Sequence, residues 1–425
     1  MIPMTYAVEA LAAFLLFATA ICFLIRPGAA ESRLKPFPSR TGARILCAAL
    51  TALPGLFLSF SIAVPFFAVF AAAYAGLTVL LLGLYAAIRG GSGIWPLSIV
   101  MTLTSVAIAA LQPLGLKILL LPKADVLPYE PVAARVVKTY DEGVWFESVR
   151  AGRDGVLYLA ANKGFDFSRS DYYRHAHGEV IAHRPDGSES VIFKTPTGSA
   201  AGVIAVAPGG TLYMSSNGST PGIWRIGQDG RGDMMTRLPQ GAWPNGLDFG
   251  PDGNLYSSDS SLGIVWRIDP NTGHADIALK DSVLSARPLI ALAPGANGLR
   301  FMGRDLIVTV SDSTKVLRFE MNDAGRFSAP KELATGIPGD DFAIGHDGSL
   351  FITTHPYNTL VKLARDGRRS IIADARQQII GATDAVFGTT EADRDTLYVA
   401  TDGGAFTGGP KTRGQLVALT PYLNR

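Results

Sequence analysis

The sequence predicts an all-β six-bladed β-propeller preceded by an α-helical membrane block of about four transmembrane helices. Three observations carry this. Before residue 121 the chain is almost free of acidic residues and crowded with Ala, Leu, Ile, Phe and Val, whereas beyond it charged residues and Asp-Gly pairs return. In the second part a unit of paired strands recurs six times. Its spacing, about 50 residues, is that of a four-stranded propeller blade. A chain of 425 residues also exceeds what one core usually serves. The expected division is 1–121 for the anchor and 122–425 for the propeller.

The membrane block contains four apolar segments: Met4 to Ile25, Ile45 to Phe60, Pro65 to Ile88, and Ile94 to Leu121. A hydrocarbon core of ~30 Å takes ~20 such residues in a helix. The second segment is short and interrupted by Pro54, so a three-span or re-entrant arrangement is the alternative. Ala29 and Ala30 resemble a signal-peptide cleavage site, but no positive charge precedes the first apolar run. Arg26, Arg33, Lys35, Arg40 and Arg44 fall between the first two segments and Arg89 between the last two, which the positive-inside rule assigns to the cytoplasm. The expectation is an integral membrane protein with its propeller on the extracytoplasmic side, facing the periplasm if the source is bacterial. Loss of one span would reverse it.

Charge and cysteine content exclude other classes. The formal net charge is +2 and the second part has no run of Lys or Arg, so the basic stripe that nucleic acid requires is missing. The two cysteines, Cys22 and Cys47, both lie in apolar segments, which leaves neither a disulfide framework nor a thiolate metal site.

The repeats are Glu147 to Ala161, Gly202 to Ser216, Asn245 to Asp259, Asn297 to Asp312, Asp340 to His355 and Asp384 to Asp402. Asp154-Gly155, Asp252-Gly253 and Asp347-Gly348 sit between alternating apolar runs, a strong hairpin signal. Third strands follow at Ile264 to Ile268, Val316 to Phe319 and Leu360 to Leu363. The run Gln415 to Thr420 is expected to pair with Ala134 to Thr139 and close the ring.

Aligning the repeats on the aromatic of the second strand (Tyr158, Tyr213, Tyr256, Phe351) and stepping back equally gives Glu147, Gly202, Asn245 and Asp340; the fourth repeat gives Asn297. The sixth, with a short insertion at Glu391 to Arg394, gives Asp384. The innermost strand of a blade begins beside the central channel, so these positions should face one another. Unpaired buried carboxylates are costly, and oxygen donors without His or Cys suit a hard cation such as Ca²⁺ rather than Zn²⁺. Asn245-Gly246 and Asn297-Gly298 are also turn-prone pairs in their own right.

Trp243-Pro244-Asn245-Gly246-Leu247-Asp248-Phe249, Ala296-Asn297-Gly298-Leu299-Arg300-Phe301 and Gly336-Ile337-Pro338-Gly339-Asp340-Asp341 resemble the SMP-30/gluconolactonase/LRE-like family and its strictosidine-synthase-like and paraoxonase relatives. The resemblance spans residues 130 to 425. It implies a six-bladed propeller with one divalent cation, usually Ca²⁺, in the channel, held by Glu147, Asn245, Asn297 and Asp340. Asp341 matches a further ligand of the paraoxonase relatives. Where those relatives carry a catalytic His, this chain has Gly202, and the four-span anchor lies outside the usual pattern.

The expected activity is metal-dependent hydrolysis of a small lactone or ester, with Asp340 as general base. Substrate contacts are expected from Asn162, Tyr173, Trp243, His355 and Asp384, on or near the channel's metal-bearing end. The loop Gly164 to His177, with Phe165, Phe167, Tyr172, Tyr173 and Arg174, could cover the channel; an ordinary surface insertion is the alternative. No Gly-x-Ser-x-Gly or His-Glu-x-x-His occurs, and the Gly403 to Gly409 run before Lys411-Thr412 departs from a phosphate loop at Pro410. The rival classes are a strictosidine-synthase-like lyase or condensing enzyme and a non-enzymatic propeller receptor or scaffold. The anchor implies the lipid bilayer as a partner and an apolar substrate.

Overall fold

The structure is a computed structural model that describes residues 122–165, 174–286, 293–405 and 411–422, with positions 45, 48, 49 and 52. The chain divides into two units, Met1–Leu121 and Pro122–Arg425. Apart from positions 45, 48, 49 and 52, the expected membrane segments lie outside the described residues, among which no helix is long and apolar enough to cross a membrane.

The second unit is six antiparallel four-stranded sheets, a six-bladed propeller. Blade 1 runs Val144–Ala151, Leu157–Lys163, His177–His183, Glu189–Lys194, and four more blades follow in simple sequence order. Blade 6 joins Ala382–Phe387, Leu397–Thr401 and Gln415–Leu419 to Ala134–Thr139 from the other end of the propeller. The pairing runs from Ala134 opposite Leu419 to Thr139 opposite Gln415, as the sequence predicts. This closes the ring and removes a free sheet edge.

Both faces of each sheet pack against a neighbouring blade, so strands are apolar on both sides. Val203, Tyr213, Leu247, Leu255 and Trp266 fill one seam, and Tyr256, Leu299, Leu306 and Phe319 fill another. Tyr256 and Phe319 are fully buried. The Asp-Gly turns are hairpin ends: Gly155, Gly253 and Gly348 adopt φ of 74°, 78° and 75°, the left-handed region that glycine tolerates. Asp252 and Asp347 each accept the backbone N–H two residues on, at 3.2 and 3.0 Å.

Candidate active site and cation centre

Each inner strand breaks its ladder at the same place. Two consecutive residues oppose a single residue of the second strand, which is a β-bulge. The pairs are Glu147-Ser148 opposite Ala160, Asn245-Gly246 opposite Ser258, Asn297-Gly298 opposite Thr309 and Thr383-Asp384 opposite Ala400. Gly202-Val203 bracket Ser215 and Asp340-Asp341 bracket Thr353 through the same backbone hydrogen bonds. The bulge turns side chains toward the axis.

The Asn-Gly pairs are therefore not hairpin turns. Their glycines are fixed by crowding at the axis: a Cβ on Gly246 would stand 2.5 Å from Leu299 N, and one on Gly298 2.5 Å from Asp340 O. Neighbouring bulges touch there, and no side chain fits between them.

At four of the six blades a hydroxyl opposite the bulge ties it to the next. Ser215 Oγ donates to Asn245 O (2.8 Å), Ser258 Oγ to Asn297 O, Thr309 Oγ1 to Asp340 O (2.6 Å) and Thr353 Oγ1 to Thr383 O (2.8 Å). Sequence reasoning missed this ladder. Its signal is a Ser or Thr two residues past the second-strand aromatic, as in Tyr213-Met214-Ser215 and Phe351-Ile352-Thr353.

The first bulge residues form the upper layer: Glu147, Asn245, Asn297 and Asp340. Asn297 donates through Nδ2 to Asp340 Oδ1 (2.7 Å) and Ser311 Oγ (2.8 Å). Ser311 in turn donates to Gly339 O (2.6 Å), so its lone pair must receive the amide N–H and the amide orientation follows. Asn297 Oδ1 is left buried with no partner. Asn245 repeats the arrangement, Nδ2 donating to Ser260 Oγ at 3.3 Å while Ser260 donates to Ala296 O at 2.8 Å.

Glu147 is half-buried in the channel wall. Burial first, then the nearby Asp340 carboxylate, pushes it up to about 8. Asp340 is pushed up to about 7, again chiefly by burial, with Asp341 adding to the shift and His355 opposing it. His355, from the turn His355–Tyr357, has its Nε2 2.7 Å from Asp402 Oδ2 and its Nδ1 4.0 Å from Asp340 Oδ2. Burial alone would lower it; the Asp402, Asp340 and Glu147 carboxylates outweigh this and raise it to about 9. A histidine thus reaches the site from blade 5, not from the position of Gly202.

A second layer of buried charged side chains lies next to the first. Arg150 and Arg300, three residues beyond Glu147 and Asn297, meet Asp341 and Asp384. Asp341 Oδ2 lies 3.1 Å from Arg150 and 2.7 Å from Arg300. Asp384 pairs with Arg150 through Oδ2 and with Arg300 through Oδ1 at 3.2 Å. Ser148 Oγ and Val149 N also donate to Asp384, at 2.7 and 2.9 Å.

Several expected roles change accordingly. Asp384 does not share the ring position of Glu147; Thr383 does, because the whole of Glu391 to Arg394 is inserted in that hairpin. Asp384 is fully buried in the second layer, where no substrate reaches it. Asp341 is engaged by two guanidiniums rather than turned to the upper layer. Asn162 is also consumed structurally, donating to Ala201 O at 2.8 Å and accepting from Ala201 N at 2.9 Å, which clamps blade 1 to blade 2. Trp243 sits on the rim, partly exposed, and Tyr173 lies outside the described residues with most of its loop.

Among the described residues no group of three or more His, Cys, Asp or Glu could hold a metal ion. Two of the four upper-layer donors are Asn. An all-oxygen set with an orphaned buried amide oxygen fits a hard cation.

No family model matches the chain, and no curated protein matches it. Solved structures do. A protein provisionally assigned as a gluconolactonase is 17% identical, covering 70% of this chain and 97% of that one, with a TM-score of 0.50. A luciferin-regenerating enzyme is 14% identical over 68% and 96%, with a TM-score of 0.50. A gluconolactonase from Xanthomonas campestris is 18% identical over 70% and 98%, with a TM-score of 0.46. The likeness is one of fold. This chain matches the first two over nearly their whole length, which leaves the site to be argued from its own residues.

Proposed function

We propose that the propeller is a divalent-cation-dependent hydrolase of lactones or esters, held at a membrane by residues 1–121. The observation that carries the reading is Asn297 Oδ1, a buried acceptor without a donor, beside carboxylates that burial and mutual repulsion push toward protonation. A cation would satisfy both. Glu147, Asn245, Asn297 and Asp340 would hold it, and oxygen donors favour Ca²⁺. When bound, such an ion polarises a carbonyl and stabilises the resulting oxyanion. The likeness in fold to a protein provisionally assigned as a gluconolactonase is compatible with a lactone substrate.

The chain's own residues supply the proton chemistry. Asp340 orients the attacking water and accepts its proton at a carboxylate oxygen. His355, held charged by the surrounding carboxylates, gives its Nδ1 proton to the leaving oxygen, and the water proton on Asp340, 4.0 Å away, then restores it. Asp402 fixes the imidazole by holding Nε2. The Arg150–Asp341–Arg300–Asp384 cluster fills the axis beside this layer with paired charges, so substrate would enter and product leave on the side that carries His355.

The test is turnover of aryl esters and lactones by the full chain in detergent, with added Ca²⁺ or chelator. Asp340→Asn should lower kcat by about 10²–10⁴, the range of general acid–base catalysis. Turnover unaffected by chelator, or an Asp340→Asn variant at the wild-type rate, would sink the proposal.

A further inference from the structure

The two faces of the propeller differ in chemistry. Away from the site, the hairpins end in polar turns such as Asp154-Gly155, Asp186-Gly187, Asp229-Gly230, Asp252-Gly253 and Asp366-Gly367. None of the large apolar side chains exposed among the described residues lies on those turns. On the site side, three do lie on loops: Trp243, leading into the inner strand of blade 3, is 37% exposed; Leu262, in the next hairpin connection, 43%; and Ile380, before the inner strand of blade 6, 38%. The same rim carries exposed Arg174, Arg237, Lys280 and Lys411, against exposed Asp141 and Glu142 beside Lys411.

The start of the propeller chain supplies an independent observation. Tyr357 Oη donates to the carbonyl of Pro122, and Tyr357 belongs to the turn that carries His355. The first residue of this unit is therefore tied to the site face. The 121 residues before it hold the apolar runs and, apart from positions 45, 48, 49 and 52, lie outside the described structure.

The geometry points to the site face as a lipid-docking surface, with Trp243, Leu262 and Ile380 dipping into an anionic bilayer and the basic rim meeting its headgroups. Apolar tips flanked by Lys and Arg are what an interfacial surface requires. A protein partner would not need chain entry on the same face. The consequence, which rests on the hydrolase reading, is a substrate class: an amphiphilic ester or lactone that partitions into lipid and reaches the channel mouth from the bilayer. Docking itself requires no catalysis.

The experiment uses the full chain, with Cys22 and Cys47 replaced by Ser, reconstituted into vesicles of phosphatidylcholine with or without phosphatidylglycerol. Leu262→Cys, Ile380→Cys and the far-face control Asp229→Cys carry an environment-sensitive dye, and nitroxide on the lipid chains is the quencher. Insertion to interfacial depth should quench the dyes at 262 and 380 about threefold or more over that at 229. Phosphatidylglycerol should strengthen this, and Arg237→Glu with Lys280→Glu should weaken it. Equal quenching on both faces, failure of the chain to float with vesicles, or shielding from aqueous iodide without lipid quenching would each overturn docking; the last would mean that protein covers the face. Chelator-sensitive hydrolysis of a soluble aryl ester is measured on the same vesicles. Quenching without hydrolysis leaves docking standing and removes the hydrolase, and hydrolysis without quenching does the reverse.

Discussion

Replacing Arg150 by Met removes one of the two cations that balance Asp341 and Asp384. The residue is 8% exposed and its side chain bonds Asp384, Asp341 (3.1 Å) and the carbonyl of Val149 (2.6 Å). Both carboxylates keep other donors: Asp341 the N–H of Phe342 at 2.9 Å and Arg300 at 2.7 Å, Asp384 those of Val149 and Ala385 and the Ser148 hydroxyl. Their hydrogen bonds largely survive, while two buried charges come to share one guanidinium. Breaking a buried pair in this way costs about 3–5 kcal/mol, and the retained donors argue for the lower end. A unit of about 300 residues unfolds with ~0.6 kcal/mol/K of entropy, so the melting temperature should fall by about 5–8 °C. Burial, and for Asp341 the Asp384 charge, already hold both carboxyls above their usual range, with Arg150 opposing. The loss should therefore be larger at pH 8 than at pH 5, where a proton can replace the missing cation. Calorimetry of the full chain in detergent measures it. Arg150→Met/Asp384→Asn, which restores the charge balance, should recover about half. A single variant melting within about 2 °C of wild type at pH 8 would show that the second layer is not an electrostatic unit.

Saturating Ca²⁺ should raise the melting temperature: at about 100 times Kd the linkage is ~2.7 kcal/mol, or roughly 4 °C for a unit of this size, and a transition unmoved by Ca²⁺ or chelator counts against the centre. Without cation, stability should fall as pH rises from about 4 toward 8. Glu147 and Asp340 have folded values, about 8 and about 7, above their ordinary ones, so the native state binds more protons across that window and loses the advantage as they leave. His355, raised to about 9, extends the decline in the same direction. Cation binding should accordingly release protons, read as a dependence of calorimetric heat on buffer ionisation enthalpy; no release at pH 6.5 contradicts the assignment. Thr309→Val deletes the donor to Asp340 O while Gly298 N, 3.1 Å away, remains. A loss of about 1 kcal/mol in stability is expected with weakened Ca²⁺ affinity, and unchanged affinity would mean that the ladder does not position the ligands.

The repeat, the six blades and the ring closure were legible because they rest on local signals: alternation, Asp-Gly turns and a constant step from the second-strand aromatic to the axis. That step places Glu147, Asn245, Asn297 and Asp340 in one layer without any knowledge of contacts. It fails at blade 6 because the sequence does not show how many residues of the Glu391 to Arg394 connection are extra, and a one-residue error there exchanges Thr383 for Asp384 and one layer for the other. Asp341 looks like a ligand in sequence, and Asp384 like a ring position and substrate contact, because each is a carboxylate at or beside the step to the axis. Only the fold shows Arg150 and Arg300 arriving from opposite blades to occupy them. His355 looked like one loop contact among several for the same reason, its partner Asp402 being 47 residues away on the next blade.

The hydroxyl ladder explains why the layers stay distinct. It spans four of the six seams; the seams on either side of blade 1 have Ala400 and Ala160 where the others carry Ser or Thr. There Ser148 bridges instead, donating to Asp384 and accepting from Ile204 N at 3.2 Å, and Asn162 clamps Ala201. Blade 1 is thus fastened through its second bulge residue and the end of its second strand. Glu147, the first bulge residue, takes no part in either fastening, and its carboxylate lies next to Asp340 and His355. Of the four upper-layer side chains, Asn245, Asn297 and Asp340 are each held by amide hydrogen bonds. Under the proposed function, Glu147 would be the ligand free to adjust as a cation or a substrate arrives.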